Sequence, residues 1–371
     1  MLDEKNYWLG FSVFSGIGPI KFKKLLEQFS SAKDAWNASV LDLSEVIGEK
    51  LAGRFDDFRH KFSIKDYINQ LEEKDVSFII LTDSNYPELL KQIRNPPFVL
   101  YYKGDVEILH SVENDNGSRY IAVVGTRRTT SYGREVTKIL TEELVASGFT
   151  IVSGLAIGID AISHKTALEN NGKTIAVLGC GVDCCYPLAN QHIYNSIVND
   201  NGCVVSEYPL TQRPTKGSFP ARNRIIAGLA MGVLVTEGAE DSGSLITAEY
   251  ALKFGRKVFA VPGSITSLLS KGPYKLIAKG ARLVTSAEDI LEEFKMPSFA
   301  KAPRGKQNSK FKNATNEEKK ILNILQNEPL HFDELVRRTG FESAKTGSVL
   351  SIMEIKGLVK GLESGQFSIA S

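Results

Sequence analysis

The chain has 371 residues, 42% apolar and 24% charged, which suits two or three soluble domains with a sizeable core. Its four cysteines are too few for a disulfide framework and fit a reducing compartment. The charged start MLDEKNYW lacks the apolar stretch of an export signal, and the longest apolar run, 225–235, is too short to span a bilayer. A cytoplasmic chain with no membrane role is expected.

The net charge of +2 is unevenly spread. Residues 1–115 hold 14 Lys and Arg against 19 Asp and Glu, 116–294 hold 18 against 16, and 295–371 hold 13 against 8. Within the middle block, 126–134 and 211–227 carry seven cations and no acid. Such local concentration is what an anion-binding site requires.

Residues 1–115 read as an N-terminal helical domain and connector. In SGIGPIKFKKLLEQF, Gly16 and Gly18 suit a tight turn and Pro19 the first position of the next helix. A Gly-Ile-Gly turn before a helix is similar to the helix-hairpin-helix of DNA-binding proteins. Its acidic surroundings favour a packed hairpin instead.

From Tyr120 the pattern changes. IAVVG (121–125), TIVSG (150–154), TIAVLG (174–179), CVVSE (203–207), GVLVTEG (232–238) and KVFAVPG (257–263) read as buried parallel strands, with a weaker strand at 282–285. Amphipathic segments separate them, so residues 116–294 predict an α/β, extended Rossmann-like, doubly wound and mostly parallel sheet. Ligands of such sheets lie beyond the carboxyl ends of the strands, which here converge on one edge.

The first turn, VVGTRRTTSYG, lacks the dinucleotide fingerprint and sets Arg127 and Arg128 after Gly125. Paired arginines suit a phosphate carried on a polymer. In SGLAIGIDAISHKTAL, Gly154 and Gly158 permit a turn, and Lys165 can join a basic rim. Asp160 and His164 lie four apart on one helical face; without a third ligand or a nucleophile, capping and packing are expected of them. ALENNGKT imitates a P-loop but runs helix, turn, strand, the reverse of what phosphate cradling needs, so no ATPase is inferred. Cys180, Cys184 and Cys185 do not have zinc spacing and read as small apolar residues. No metal or cofactor is expected.

The stretch TKGSFPARNRIIAGL brings Lys216, Arg222 and Arg224 together with Phe219 at the mouth of a helix. In EGAEDSGSLITAEYAL, Gly243 and Ser244 begin a helix whose free amides favour phosphate, an ordinary serine cap being the plainer alternative. Cations, an aromatic ring and helix N-termini on one crevice fit single-stranded nucleic acid: phosphates pair with Arg and Lys, and a base stacks on Phe219. The stretch 295–312 is a linker with six cations and no acid. Residues 313–371 show three helical periods and a hairpin, a winged-helix-like pattern of near-neutral charge that suits a contact or regulatory module.

These motifs, VVGTRRTTSYG, SGLAIGIDAISHKTAL, TIAVLGCGVDCCYP, SEYPL…FPARNRIIAGL and TEGAEDSGSLITAEYAL…GRKVFAVPG, resemble the DprA/Smf family across about 120–263. The resemblance implies a homodimeric protein that binds single-stranded DNA and loads RecA recombinase on strands covered by single-strand-binding protein, as in natural transformation. Carried over, the DNA pocket falls on Arg127, Lys216, Phe219, Arg222 and Arg224, with Gly125, Gly154, Gly243 and Ser244 in its turns. The alternative is an enzyme, a nucleotide phosphoribohydrolase of the lysine-decarboxylase-like family. That family's catalytic glutamate is replaced here by Thr247, so no acid–base group is in place.

Overall fold

Short capped helices open the chain in a computed structural model that describes residues 2–109, 119–296, 314–325, 328–362 and 365–369. They are α1 (Glu4–Val13), α2 (Pro19–Phe29), α3 (Ala32–Asn37), α4 (Val40–Ile47), α5 (Glu49–Arg59) and α6 (Ile64–Glu73). Asp3, Ser31, Ser39 and Ser63 each accept a backbone N–H as N-caps, and Pro19 is the first residue of α2. The expected hairpin is packed: Phe22 and Leu25 of α2 are buried among Trp8, Phe11, Trp36 and Phe55. Phe11 and Phe55 stack at 4.8 Å, and Phe22 stacks at 4.1 Å on Phe98, which precedes a sheet strand.

That strand marks a difference from the sequence reading. β1 (Ser77–Ile80) and β2 (Val99–Gly104), separated by the short α7 (Glu88–Lys91), are hydrogen-bonded into the main sheet, although they fall within 1–115. Both are antiparallel additions, β1 on β2 and β2 on β6. An edge strand of four residues beside an irregular loop gives little periodic signal.

The alternating run then follows as β3 (Tyr120–Val124), α8 (Ser131–Ala146), β4 (Thr150–Ser153), α9 (Ile159–Glu169), β5 (Thr174–Val177), α10 (Gln191–Asn199), β6 (Gly202–Ser206) and α11 (Ser218–Leu229). It continues with β7 (Gly232–Val235), α12 (Gly243–Lys253), β8 (Lys257–Ala260), α13 (Lys271–Ala278), β9 (Arg282–Leu283) and α14 (Ala287–Glu293). The nine strands lie in the order β1-β2-β6-β5-β4-β3-β7-β8-β9, parallel from β6 to β9. Strands β3 to β7 are buried throughout, which is why they read as near-continuous apolar runs. From β3 the chain winds out through β4, β5 and β6, then crosses back to β7 on the other flank of β3. The topological switch, where ligands of this architecture bind, is therefore at β3.

The helical domain and the sheet belong to one compact unit that ends at Pro297. Tyr67 of α6 accepts the Leu210 amide at 2.9 Å, and Ser12 of α1 pairs with Tyr101 of β2 at 2.6 Å. Most of the expected basic linker falls outside the described residues. The second unit contains α15 (Asn316–Leu325), β10 (Leu330–His331), α16 (Phe332–Thr339), α17 (Ser343–Ile355), β11 (Val359–Gly361) and β12 (Gln366–Ile369). Its sheet order is β10-β12-β11, and Ile321, Leu335, Leu350 and Met353 fill its core, so this is a winged helix.

Candidate nucleic-acid interface

A cleft of about 670 Å³ opens at the switch point, lined by the end of β3, the loops that follow β3 and β7, and the first turns of α11 and α12. Its floor begins with the loop after β3. Thr126 donates its amide to the Glu237 carbonyl at 2.8 Å, and its own carbonyl accepts the Ile159 amide at 3.2 Å. The buried Glu237 carboxylate accepts Thr130 Oγ1 at 2.5 Å and the Thr130 amide at 3.1 Å. The loop is thus pinned on both sides, and the two residues left to project are Arg127 and Arg128. Both are exposed, and neither has an ion-pair partner among the described residues. Gly158, at φ +87°, lets this loop approach closely: a Cβ there would lie 2.3 Å from the Thr126 carbonyl oxygen.

Across the cleft, residues 215–218 close on themselves before α11. Thr215 N donates to Ser218 Oγ at 3.0 Å, and Ser218 N to Thr215 Oγ1 at 3.2 Å. Lys216 is exposed in this turn with no ion-pair partner among the described residues. Half-buried Phe219 follows; the Arg127 guanidinium lies 5.6 Å from its ring centroid. Tyr186 stands beside Phe219, centroids 5.5 Å apart and planes tilted 35°, with 48% of its surface exposed. Tyr186 lies within the motif TIAVLGCGVDCCYP but was not among the site residues expected from the sequence. Three unpaired cations and two neighbouring rings therefore share one concavity.

Arg222 is in the cleft wall but differs from these three. It is only 5% exposed. Its Nη1 donates to the Gly154 carbonyl at 2.6 Å and to the Val177 carbonyl, and its Nε donates to Asn223 Oδ1 at 3.0 Å. Asp160 balances this charge while accepting the Gly154 and Ala156 amides at 3.2 and 3.4 Å. Burial lowers the Arg222 pKa and raises that of Asp160, each opposed by the other's charge. Arg222 is thus a tie between α11 and the ends of β4 and β5, and a fixed positive charge beneath the cleft. Gly154 makes the tie feasible, since a Cβ there would sit 2.4 Å from the guanidinium.

The structure brings together fewer cations than the sequence suggested. Of the seven, Arg127, Arg128, Lys216 and Arg222 line the cleft, against Asp160 and the exposed Asp241. Arg224 is turned away, ion-paired with Glu207 in a half-buried site that ties α11 to the end of β6. The reason is helical geometry: two residues after Arg222 is about 200° around α11. Arg134 donates instead to the Thr129 carbonyl at 3.0 Å, and Lys165 lies on the exposed face of α9 beside Glu169 at 3.6 Å. Neither Arg224 nor Lys165 contributes to the cleft lining.

Among the glycines, Gly125 makes room for protein: a Cβ there would meet the Glu237 carbonyl oxygen at 2.7 Å. Gly243 is exposed with nothing within 4 Å of a built Cβ, so it leaves open space at the N-terminus of α12. Ser242 is the cap, its Oγ accepting the Ser244 amide at 3.4 Å and pairing with Ser244 Oγ at 2.8 Å. The plainer serine-cap reading describes this geometry. Thr247, at the glutamate position of the phosphoribohydrolase motif, is 1% exposed.

Asp160 and His164 play packing roles. His164 Nδ1 pairs with Thr174 Oγ1 at 2.7 Å, and that hydroxyl donates to the Ile151 carbonyl at 2.9 Å. The hydroxyl's proton is thereby committed, so His164 carries its proton on Nδ1. Burial, helped by Arg222, pushes this imidazole down to about 3. Burial also pushes Cys180 up to about 12 and Cys185 up to about 11, the state of inert thiols. All four cysteines are free, and no metal-binding cluster occurs among the described residues.

The sequence model of the DNA recombination-mediator protein A family matches residues 77–295, more than half of the chain. The chain belongs to the DprA/Smf family. Its second unit carries the DprA winged helix domain, matched over 306–365. Protein Smf of Synechocystis is 36% identical over 96% of each chain, and the DNA processing protein DprA of Bacillus subtilis is 45% identical over 60% of this chain and 72% of its own. The X-ray structure of DprA from Streptococcus pneumoniae superposes with TM-score 0.67 at 38% identity, covering 79% of this chain and 98% of that one. DprA from Helicobacter pylori, whose structure is described in terms of its single-stranded DNA binding mode, gives TM-score 0.52 at 31% identity, covering 59% and 95%. The family match begins at β1, in agreement with a sheet that starts there.

Among the described residues, no helix is long and apolar enough to cross a membrane.

Proposed function

We propose that the cleft holds single-stranded DNA by its phosphates and a stacked base, without sequence readout and without covalent chemistry. The observation that carries this is the set of three exposed cations without ion-pair partners among the described residues, Arg127, Arg128 and Lys216, around the Phe219–Tyr186 pair. Phosphates neutralise the cations and release counterions, while a base offers its face to the rings, a mode indifferent to base identity. The buried carboxylates support a binding role: Asp160 is committed to two amides and Arg222, and Glu237 to Thr130. The single-stranded DNA binding described for the Helicobacter pylori relative agrees with this reading.

In this proposal the chain works as a homodimer that assists loading of RecA recombinase onto strands covered by single-strand-binding protein, in recombination or natural transformation. That part rests on family membership. The domain division at 1–115, 116–294 and 313–371 is kept as a functional one, with β1 and β2 lending the first segment's chain to the sheet. The deciding test is a gel-shift comparison of single-stranded DNA, double-stranded DNA and RNA at several salt concentrations. Preference for single-stranded DNA of any sequence, with affinity falling steeply in salt, supports the proposal. Equal affinity for duplex, or binding insensitive to salt, overturns it.

A further inference from the structure

A polymer held in a cleft must also leave it, so the nucleotides beside the held one lie on the cleft's rims. One rim, the first turn of α12, carries Asp241, an exposed carboxylate with no ion-pair partner among the described residues. That charge repels a phosphodiester chain. The rim made by the loops after β4 and β5 differs in kind. Neither 154–158 nor 184–190 contains a charged residue. There Ile157 is 44% exposed, Tyr186 48% and Leu188 76%, three large side chains on two adjoining loops.

Two contacts fix how these loops run. A Cβ on Gly158 would lie 2.8 Å from the Arg127 Cα, so the 154–158 loop follows the Arg127–Arg128 turn closely. On its other side, the buried Asn190 donates its side-chain amide to the Leu155 carbonyl at 2.8 Å. That bond ties the 3₁₀ turn Leu188–Asn190 to the same loop. Leu155 itself holds a left-handed φ of +56° with its side chain fully buried, a conformation that persists only where the surroundings fix it. The loop of Ile157 is thus bracketed by the basic turn and by the Tyr186–Leu188 stretch. Tyr186 is common to both sites: it lines the cleft 5.5 Å from the Phe219 ring, and it begins the apolar shelf. Ile157 and Leu188 lie beyond the cleft lining.

We infer that this shelf takes a second base of the same single strand, next to the one stacked at Phe219. The inference rests on the DNA-holding role proposed for the cleft. It gives the strand a direction of exit, away from Asp241, across Tyr186 and onto Leu188 and Ile157. The contact sets an apolar surface against the face of a base, so it gains by burial and is indifferent to base identity. Having no cation, the shelf adds affinity without adding to the salt dependence.

The test uses the full chain and a dye-labelled single strand of about sixteen nucleotides, beside an abasic strand of the same length that offers only sugar and phosphate. Leu188→Ser and Ile157→Ser are changes at exposed positions. Each is expected to weaken binding of the normal strand by about threefold to tenfold, with the salt slope and the affinity for the abasic strand unchanged. Leu188→Trp, which supplies a larger stacking face, is expected to tighten the normal strand by about fivefold or more. Combined with Phe219→Ala, the Leu188→Ser loss should multiply, because two bases are held separately. Unchanged affinity in all three single variants overturns the inference and leaves the shelf to a protein partner. An equal loss on the abasic strand overturns it by showing that no base is held there. Leu188→Ser without effect in the Phe219→Ala chain overturns it by reducing the two contacts to one base. Failure of the unaltered chain to bind either strand overturns the cleft reading itself, and the shelf with it.

Discussion

Replacing Gly154 with alanine tests whether the buried Arg222 tie organises the cleft. The added methyl would lie 2.4 Å from the Arg222 guanidinium carbon and 2.4 and 2.5 Å from its two terminal nitrogens. Gly154 has no left-handed φ, so the backbone accepts alanine and the effect is steric alone. To relieve the contact the guanidinium must move by about 1 Å or more, which breaks at least one of its bonds to the Gly154 and Val177 carbonyls. A hydrogen bond to a charged group contributes ~1.5–3 kcal/mol, and overpacking adds ~1–3 kcal/mol. The expected loss is therefore about 3–5 kcal/mol in urea unfolding, with weakened DNA binding as the ends of β4 and β5 shift. Gly243→Ala is the control, because its methyl meets nothing within 4 Å. At the first turn of α12 it should be neutral or stabilise by up to ~1 kcal/mol. Because Gly154 and Arg222 touch, their double mutant should cost less than the sum of the singles, by ~1–3 kcal/mol. An unchanged midpoint for Gly154→Ala, or strict additivity, would refute the steric reasoning.

The aromatic pair predicts that Tyr186→Ala and Phe219→Ala each weaken single-stranded DNA binding by ~1–3 kcal/mol in a fluorescence titration; a neutral Tyr186→Ala would remove it from the stacking surface. Arg224→Ala is expected to leave the salt dependence of binding unchanged while lowering thermal stability, since it strands Glu207 in a half-buried site; a flattened salt dependence would return Arg224 to the interface. His164 gives a pH signature. Its folded value of about 3 lies below the unfolded 6.5, so the unfolded chain binds the extra proton between these limits. Stability from this group is full above about pH 6.5 and falls by about 1.4 kcal/mol per unit as the pH drops through that window. Asp160, raised by burial, opposes this only at the acid end. The acid loss should flatten in His164→Gln, and an identical pH profile would contradict the assignment.

The sheet was legible because its strands are buried on both faces, which leaves runs such as Ile121–Val124 and Val233–Val235 unbroken by polar residues. β1 and β2 were not: β1 is a four-residue edge strand, and β2, paired between β1 and β6, is buried at Val99–Tyr101 and only half-buried after that, so neither alternates, and the mostly irregular stretch 81–98 separates them. The cleft could be located because parallel strands deliver their loops to one edge, so distant basic turns had to meet. Arg224 was misplaced by counting charge along the chain instead of around α11; the 100° step per residue already separates it from Arg222. Tyr186 was missed because it follows an irregular loop whose direction no periodicity encodes. Glu237 could not be matched with Thr130 across 107 positions, although together they hold the Arg127–Arg128 loop. What the sequence withheld is the division between cations that face solvent and cations spent inside.

The most direct measurement of the central claim is the slope of log affinity for single-stranded DNA against log salt, for the unaltered chain and for Arg127→Ala/Lys216→Ala. Three phosphates per cleft give a slope of about −2, and about −4 if two copies engage one strand. Removing two of the three free cations is expected to make the slope shallower by about 1.4 per cleft, because each lost phosphate contact carries ~0.7. A slope that stays the same in the double variant, whatever happens to the affinity, would show that phosphates are held elsewhere.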